Sequence, residues 1–546
     1  MSKFINTTLE KIMTHVEKFG SKPAIYHASI PTNIRMRKIT SLLLMAFIAI
    51  YSVCSEAQTP KRGGHLILAQ DQGPDRIDPH GPGMALQHRL IVDGPYQSLL
   101  RIDADFTVHA SLATQWVAES PTSYVFTIRD GVKFHDGSNM TVDDVVFTFE
   151  RIMDPNRASD SKVKMRSVKK VTALDSKRVR IELATPFAPF LRFMASPDVT
   201  GIVSRKFTTA HNNDLSTVAN GTGPFKITKY EPGVLIEFSR FEQYWEPGKP
   251  YLNSYVIRII PDDSTRIAGL RTGEIDISSF RPDKKPLIST LKNVAVSDPI
   301  SNSTELLLIN CESEPLNKLE VRQALAWSID KVALAAIVQP GGGTRPAMAV
   351  PAADKLFGYQ GNGSDLPFAT QDIAKAKQLL TAAGYPNGVK IDISYINTPA
   401  FAVNNRIAEV MRQHAAKAGI TLNLQPIEYA AYFKNVVSGN YQLFTSASPM
   451  ESDPDSLFLN AVSASPRAKC RDPKVDSLVD QERAETDPAK RVKLLDTLQR
   501  YLREQVYFMY LFSNQMRVEV WKNEVKGYES LPLLRRTSLR DTWLDR

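Results

Sequence analysis

The sequence predicts an α/β protein with more than one lobe and an additional strand-rich region. At 546 residues the chain is longer than one hydrophobic core usually organises, so two or three domains are expected. Strands and helices alternate from Val256 onward, whereas strand-like segments crowd together between Tyr124 and Leu183. With 43% hydrophobic and 23% charged residues, the composition is that of a globular protein.

The N-terminal segment has the pattern of a secretory leader. Met36-Arg37-Lys38 gives a basic start, residues 42–50 are apolar, and small or polar residues follow up to Ala57. An apolar run of about ten residues is too short for a bilayer, which needs about 20. We predict that Met36 is the true start and that residues 1–57 are an extension and signal peptide, cleaved after Ala57. A buried core helix is the alternative.

The three cysteines leave two questions open. Cys54 suggests a lipoprotein, although Tyr51-Ser52-Val53 lacks the small residue expected just before a lipidated cysteine. Cleavage after Ala57 removes Cys54 and leaves Cys311 and Cys470, which either pair in an oxidising compartment or remain two buried thiols.

The charge gives little reason to expect nucleic acid as a partner. The leader carries seven basic and three acidic side chains, so the charge falls from +9 for the whole chain to about +5 for the mature protein. Lys169-Lys170 and Arg535-Arg536 are only pairs, and a solvated face explains each of them.

The first half of the mature chain is predicted to be rich in strands. Residues 66–69 form the first strand, and a helix over 86–91 follows a loop rich in Gly and Pro. The segments 124–128 and 178–183 alternate or run apolar, with turn residues between them. At Gly221-Thr222-Gly223-Pro224-Phe225 the glycines and the proline allow a sharp reversal.

The second half is predicted to alternate between strands and helices. A strand over 256–260, a short helix ending at Arg271 and a strand over 273–277 begin this pattern. A strand over 421–424 follows one of the later helices. Those helices are predicted from apolar periodicity and capping residues over 322–332, 370–380, 406–418 and 487–502, with Thr370 and Asp487 as the caps of the second and fourth.

Residues 133–152 have the most informative local pattern. Asp136-Gly137 is a tight-turn dipeptide, and Thr141 is a good helix N-cap with acidic residues in the first turn, where the helix dipole favours them. An apolar stripe follows at Val145, Val146 and Phe149. The segment is therefore predicted to be a strand, a turn and a capped helix.

Motifs for catalysis or metal binding are scarce. Gly341-Gly342-Gly343-Thr344 lacks the lysine and spacing of a phosphate-binding loop, and His135-Asp136 fits a turn better than a catalytic pair. There is no Gly-x-Ser-x-Gly elbow and no His-Glu-x-x-His helix. The histidines are few and have no metal-ligand spacing. We predict no catalytic residue, metal or cofactor.

Residues 133–152 resemble the signature segment of the family 5 solute-binding proteins, which are peptide, nickel and related receptors of ABC importers. Four further pieces resemble the family in the same order. They are Gly221-Thr222-Gly223-Pro224-Phe225; Tyr244-Trp245 with Pro250-Tyr251-Leu252 and Gly273-Glu274-Ile275-Asp276; Val321-Arg322-Gln323-Ala324-Leu325; and Ala382-Ala383-Gly384-Tyr385-Pro386-Asn387-Gly388.

The resemblance implies two large α/β lobes joined by two crossing strands, with an accessory strand-rich lobe. In this class II binding-protein fold the lobes close on a ligand like a flytrap. The resemblance places lobe I at residues 58–100, 221–305 and 510–546. It places accessory lobe II at 101–220 and lobe III at 306–509.

The function implied is that of a monomeric periplasmic receptor that captures a small solute, most often a di- or oligopeptide, and delivers it to ABC permease subunits. It would catalyse no reaction itself. An opine, a glycan fragment or a metal chelate is the alternative ligand, and a secreted hydrolase is the alternative class. A chemoreceptor partner or a chaperone-like periplasmic protein would use the same fold.

Two sets of ligand-binding residues are implied by the resemblance. Ile77-Asp78-Pro79-His80 matches the run that precedes a ligand-binding loop in peptide-binding relatives, which predicts contacts from the residues Gly83, Met84 and Ala85. In the same relatives an aspartate three residues before an Asp-Pro or Glu-Pro pair binds the ligand's ammonium group, usually after a tryptophan.

This chain departs from the second pattern. Counting back from Asp453-Pro454 gives Met450, and a one-residue gap gives Glu451. The tryptophan is replaced by small residues, so this segment departs from the ammonium anchor of ordinary peptide-binding relatives. The predicted contacts on this side are Ser446, Ala447, Ser448, Met450, Glu451 and Asp453. Asp453 is alternatively a helix cap.

Overall fold

The computed structural model describes residues 59–546 except 75, 82–91, 104, 298–302, 341–347, 351–355, 358–364, 399–400, 449–451, 514–516 and 531–538. The predicted leader, its cleavage site and the helix over 86–91 therefore lie outside the described residues. Within the described residues no helix combines the length and apolar character that a membrane span requires.

A seven-stranded sheet forms the first large lobe. Its parallel centre is β1 with β10 and β11 on either side, and its other neighbouring pairs are antiparallel. The spatial order of strands is β12 (Val294–Ser297), β18 (Val518–Lys522), β11 (Ile277–Phe280), β1 (His65–Gln70), β10 (Ser254–Ile259), β9 (Leu235–Arg240) and β8 (Phe225–Glu231). We call this unit the seven-stranded lobe.

A five-stranded sheet forms the second large lobe. Here β14 is parallel to both of its neighbours, and β13 is antiparallel to both of its own. The order is β15 (Ile420–Ile427), β14 (Val389–Ile396), β16 (Leu443–Ala447), β13 (Thr304–Ile309) and β17 (Phe508–Ser513). Because β13 is apolar on both faces, Leu307 and Leu306 enter different hydrophobic cores on opposite sides of this five-stranded lobe.

Shorter sheets complete the strand content of the described residues. A four-stranded antiparallel sheet and a small hairpin make up the strand-rich lobe, and its apolar side chains form a separate core around Phe126 and Phe149. The strands are β4 (Ala113–Ser120), β5 (Ser123–Ile128), β7 (Arg178–Leu183) and β6 (Val168–Ala173), with the hairpin β2 (Leu100–Ile102) and β3 (Val108–Ala110). A C-terminal pair consists of β19 (Val525–Lys526) and β20 (Trp543–Leu544).

Helices cover the sheets. In the described residues they are α1 (Val142–Met153), α2 (Asp160–Lys164), α3 (Phe190–Phe193), α4 (Pro197–Thr200), α5 (Arg205–Ala210), α6 (Asp263–Thr272), α7 (Lys285–Ile288), α8 (Leu319–Ser328), α9 (Lys331–Val338), α10 (Ile373–Ala382), α11 (Ala402–Ala416), α12 (Tyr429–Ser438), α13 (Asp455–Phe458), α14 (Pro473–Ala484) and α15 (Pro488–Glu504). A 3-10 turn spans Pro282–Lys284.

Two of the predicted helices differ in detail from those observed. The helix predicted over 322–332 is two helices, because Asp330 accepts a hydrogen bond from Ala333 N and starts α9 after α8 has ended. Similarly, Asp372 rather than Thr370 caps α10, through a bond from Lys375 N. Asp487 caps α15 as predicted.

Cys311 and Cys470 form a disulfide. Cys311 follows β13 and Cys470 precedes α14, and their Cα atoms are 5.0 Å apart. Of the two alternatives left by the sequence, the structure therefore selects pairing, which is typical of proteins that fold in an oxidising compartment.

Candidate ligand-binding cleft

The two large lobes are joined by two short connections. The chain leaves β12 at Ser297 and enters β13 at Thr304, and it leaves β17 at Ser513 and enters β18 at Val518. Fully extended, these connections reach roughly 25 Å and 17 Å. The edges of the two sheets where the connections begin and end therefore lie within these distances of each other, and we call this junction the hinge.

The hinge edge of the seven-stranded sheet is also where its parallel strands end. Since β18 runs antiparallel to β11, the start of β18 lies beside the carboxyl end of β11, and β1 ends there too, at Gln70. Open α/β sheets bind ligands beyond the carboxyl ends of their parallel strands. The candidate cleft thus lies between this edge and the hinge edge of the five-stranded sheet.

Ser446, Ala447 and Ser448 lie on the facing edge of the five-stranded lobe. Ser446 is half-buried, with its hydroxyl 3.3 Å from that of Tyr432, and Ala447 is exposed. Ser448 is buried and tied to Thr304, because its Oγ accepts from Thr304 N and its own N donates to Thr304 O, both at 2.8 Å. Ser448 thereby extends the pairing of β16 with β13, and ligand contact by all three residues stays a prediction.

The other edge of this segment is open in the described part of the chain. β14 pairs with β16 only at Leu443 and Phe444, whereas β13 pairs with β16 along its whole length. Beyond Thr445, the backbone of Ser446 and Ala447 is therefore paired with a described strand on one side only, next to the hinge. Open strand edges are ready to pair with another extended chain.

Five predicted contacts lie outside the described residues. They are Gly83, Met84 and Ala85 on one side and Met450 and Glu451 on the other. Their described neighbours in the sequence are held by two buried clusters.

The Asp453 side chain is fully buried, and its carboxylate is paired with an arginine. Its carboxylate accepts hydrogen bonds from both terminal nitrogens of Arg491 in α15, at 2.7 and 2.8 Å, and another from Asp455 N at 2.9 Å. Burial alone would raise the pKa of Asp453, but the Arg491 guanidinium holds it below its usual value. The bond from Asp455 N orders the start of α13, which is close to the alternative role as a cap.

Arg491 also binds a second carboxylate. Its Nε and one terminal nitrogen donate to Glu482 of α14 at 2.9 and 2.8 Å, so one buried cation serves two acids. Sequence reasoning missed this cluster, although Arg491 lies on the stripe of α15 that carries Leu495 and Leu498. A charged residue on an apolar helix face is the signal that indicates a buried ion pair.

A second buried cluster holds the loop that precedes Gly83. Asp78 accepts bonds from Arg151 of α1 at 2.7 and 3.0 Å and from Arg157 at 2.6 Å. Burial and the adjacent Arg151 lower the pKa of His80 to about 3, so its neutral ring accepts a bond from Arg151 at Nδ1. The signature segment therefore fixes the Asp78-Pro79-His80 run, a role that the sequence did not reveal.

No metal centre is evident in the part of the chain described. No three His, Cys, Asp or Glu side chains there are grouped so as to hold a metal ion.

Two α/β lobes joined by two crossing connections, with a strand-rich third lobe, define the flytrap class of extracytoplasmic binding proteins. The chain belongs to the bacterial extracellular solute-binding proteins of family 5, whose middle-region model matches residues 107–469. This is a family of binding proteins rather than enzymes. The chain is accordingly a solute-binding receptor of the peptide type of ABC importer.

Three similar proteins illustrate the range of the family. Di/tripeptide-binding protein 2 of Pseudomonas aeruginosa is 26% identical over 527 residues, which covers 90% of this chain and 96% of that protein. Heme-binding protein A of Haemophilus influenzae is 29% identical over 463 residues, or 78% and 82% of the two chains. The periplasmic binding protein DppA from Helicobacter pylori, solved with the peptide STSA, has a TM-score of 0.73 at 25% identity, covering 89% and 99%.

Proposed function

We propose that this receptor captures di- or oligopeptides between its two large lobes. The observation that carries the proposal is the open backbone edge at Ser446 and Ala447 beside the hinge. An extended peptide can pair with such an edge through its main chain, which gives affinity without strict dependence on side chains. Di/tripeptide-binding protein 2 of Pseudomonas aeruginosa and the peptide complex from Helicobacter pylori support the same ligand class.

The proposed contacts come from both lobes. Gly83, Met84 and Ala85 contribute backbone groups from the seven-stranded lobe, and the segment from Ser446 to Glu451 contributes those of the five-stranded lobe. Glu451 binds the peptide ammonium group. Asp453 anchors the chain directly after this segment, because its carboxylate accepts hydrogen bonds from Arg491.

A non-peptide organic solute is the second candidate. It is favoured by the replacement of the expected tryptophan with Ser446-Ala447-Ser448-Pro449, which changes the wall of the cleft at the ammonium position. The similarity to a heme-binding protein supports a broader ligand range.

Export and organisation complete the proposal. The leader directs the chain to the periplasm, with cleavage after Ala57, and the monomeric receptor delivers its solute to ABC permease subunits. Lobe I comprises residues 58–100, 221–305 and 510–546, lobe II comprises 101–220, and lobe III comprises 306–509. Sequencing the N-terminus of the exported protein tests the cleavage site.

Mass spectrometry of the small molecules released from natively purified protein tests the ligand class. A thermal-shift screen of dipeptides, tripeptides, opines and sugars supports it, because a bound ligand raises the melting temperature by mass action. Peptides in the released fraction and a rise of the melting temperature with peptides are expected. Release of a non-peptide solute, with no peptide raising the melting temperature, would reject the proposal.

The role of Glu451 is tested by Glu451→Gln. The variant should bind a free-amine peptide about tenfold more weakly, since a buried ammonium loses its charged partner, a change of about 1.4 kcal/mol. Affinity for the N-acetylated form of the same peptide should not change. Glu409→Gln, which alters an exposed helical carboxylate paired with Arg412, is the matched control. Equal free-amine affinity in Glu451→Gln and wild type rejects the role.

A further inference from the structure

The segment that follows the predicted ligand residues is attached to the strand-rich lobe. Ser196, at the start of α4, donates a hydrogen bond to the hydroxyl of Ser452 at 3.2 Å, and both side chains are buried. Three residues further on, Asp455 accepts a bond from Arg166 at 3.0 Å. Each contact joins the strand-rich lobe to the five-stranded lobe, across more than 250 residues of sequence.

Neighbouring contacts strengthen the same junction. Ala188 N, just before α3, donates to Arg483 O of α14 at 2.7 Å, and the Arg483 side chain binds Asp455. The ring of Phe357 lies 4.8 Å from the guanidinium of Arg192 and 5.0 Å from that of Arg491, so it contacts a cation from each lobe.

We propose that the segment 452–455 is a closure latch and that Arg166 and Ser196 are positioning residues for solute capture. The proposal rests on the proposed function, because it takes Met450 and Glu451 as ligand contacts. In the sequence these residues directly precede the latch, so ligand binding to them is coupled through the chain to the contacts that Ser452 and Asp455 make with the strand-rich lobe. The strand-rich lobe then takes part in capture rather than serving only as scaffold.

The charges of the latch allow it to open. Asp455 is fully buried and binds two arginines, Arg166 from the strand-rich lobe and Arg483 from its own lobe. When the lobes separate, Asp455 keeps Arg483, so the carboxylate is not left without a counter-ion. Arg166 keeps its contact with the ring of Phe187, 5.0 Å from its guanidinium. Opening therefore breaks contacts without leaving a buried charge unpaired.

Disulfide cross-linking measures closure of the latch directly. In the variant Ser196→Cys with Ser452→Cys, the two sulfur atoms replace hydroxyls 3.2 Å apart and can bond when the latch is closed. The probe is the dipeptide or tripeptide that gives wild type the largest thermal shift. This peptide should speed cross-linking about fivefold or more, and the cross-linked protein should exchange bound peptide more slowly than the same variant before oxidation.

Arg166→Ala tests the positioning role. In ligand-free protein with the cysteine pair, it should slow cross-linking about fivefold, the effect of about 1 kcal/mol on a two-state equilibrium. Arg205→Ala is the matched control, since Arg205 pairs with Glu150 at 3.2 Å and contacts the ring of Phe147, both of which belong to the strand-rich lobe. The control should leave the cross-linking rate unchanged, and Arg166→Lys should restore part of it.

The outcomes separate the latch from the ligand class. Equal cross-linking rates in Arg166→Ala and Arg205→Ala reject the latch, as does cross-linking that a bound peptide does not accelerate. If no peptide stabilises wild type, the peptide proposal fails, and the comparison of Arg166→Ala with Arg205→Ala in ligand-free protein still decides the latch. Equally fast cross-linking in every variant, with and without peptide, would indicate a fixed structural contact between the lobes and would also reject the latch.

Discussion

At the scale of single residues, two buried arginines hold the segments beside the candidate cleft. Arg151 fixes Asp78 before the Gly83 loop, and Arg491 fixes Asp453 after the Glu451 segment. Their partners are 73 and 38 residues away in sequence. Spacing in the sequence carries no signal for pairs so distant, which is why the ligand-loop motifs were found but their supports were not.

Glu482 gives a prediction about pH. Burial is the largest of the effects that raise the pKa of Glu482 to about 8, and the carboxylates of Asp455 and Asp453 add to it against the pull of Arg491. A carboxyl group with a higher pKa in the folded protein binds more protons when folded. Its contribution to stability is complete below its unfolded value of about 4.5 and disappears as the pH rises through 8.

We expect Glu482→Gln to remove this pH dependence. The glutamine carbonyl still accepts from Arg491, and its amide replaces Glu482 Oε1, which has no hydrogen-bond partner within the described chain. Relative to the variant, wild type should lose roughly 1 kcal/mol of unfolding free energy per pH unit between about pH 5 and 8. Urea unfolding at several pH values measures this. Glu504→Gln, at an exposed carboxylate, should keep the wild-type slope; a Glu482→Gln curve parallel to wild type contradicts the prediction.

At the scale of elements, local signals were sufficient where the determining contacts are local. The capped helix α1 begins as the sequence predicts, with the Asp144 carboxylate accepting bonds from the backbone and hydroxyl of Thr141. The prediction of one continuous helix over 322–332 was wrong. The apolar periodicity continues through this segment, but Asp330 caps the start of a second helix within it. The turn at Gly221–Phe225 was predicted from its glycines and proline, but a tertiary contact explains why glycine is needed there.

The Gly221 motif lies directly against the backbone at Gly94 and Pro95. Gly223 N donates to Pro95 O at 2.9 Å, and a Cβ on Gly221 would lie 1.9 Å from the same oxygen. We expect Gly221→Ala to lower the free energy of unfolding by about 3 kcal/mol, because the backbones must separate.

Chemical denaturation of Gly221→Ala measures this loss. Gly233→Ala is the control, since Gly233 has a φ of +73° but open space around its Cβ position. It should cost only about 1 kcal/mol, for backbone strain alone. Equal losses in the two variants would contradict the steric explanation.

At the scale of the whole molecule, the order of the family motifs predicted the flytrap fold, and the sheets confirm the α/β class with a strand-rich lobe. Pairing of Cys311 with Cys470 was left open because their proximity depends on how β13 and α14 pack in the five-stranded lobe. The choice of solute was equally out of reach, since it depends on side chains that converge from both lobes.

The disulfide gives a prediction for the five-stranded lobe. It links residues 159 apart, and constraining so long a loop in the unfolded chain is worth about 5 kcal/mol in the chain-entropy model. Cys311→Ser with Cys470→Ser should therefore lower the melting temperature of this lobe. Calorimetry with and without reductant tests it, because reductant should destabilise wild type but not the variant. An unchanged melting temperature would show that the bridge adds no stability.

The position of β18 in the first sheet has a consequence for when the protein can fold. This strand, at Val518–Lys522, lies between β11 and β12, which are more than 200 residues earlier in the chain. During synthesis those two strands have no strand to join them until almost the whole polypeptide has been made. The seven-stranded sheet can therefore close only after residues 518–522 have been synthesised, so the N-terminal strands of this lobe wait for a partner that arrives more than 200 residues later.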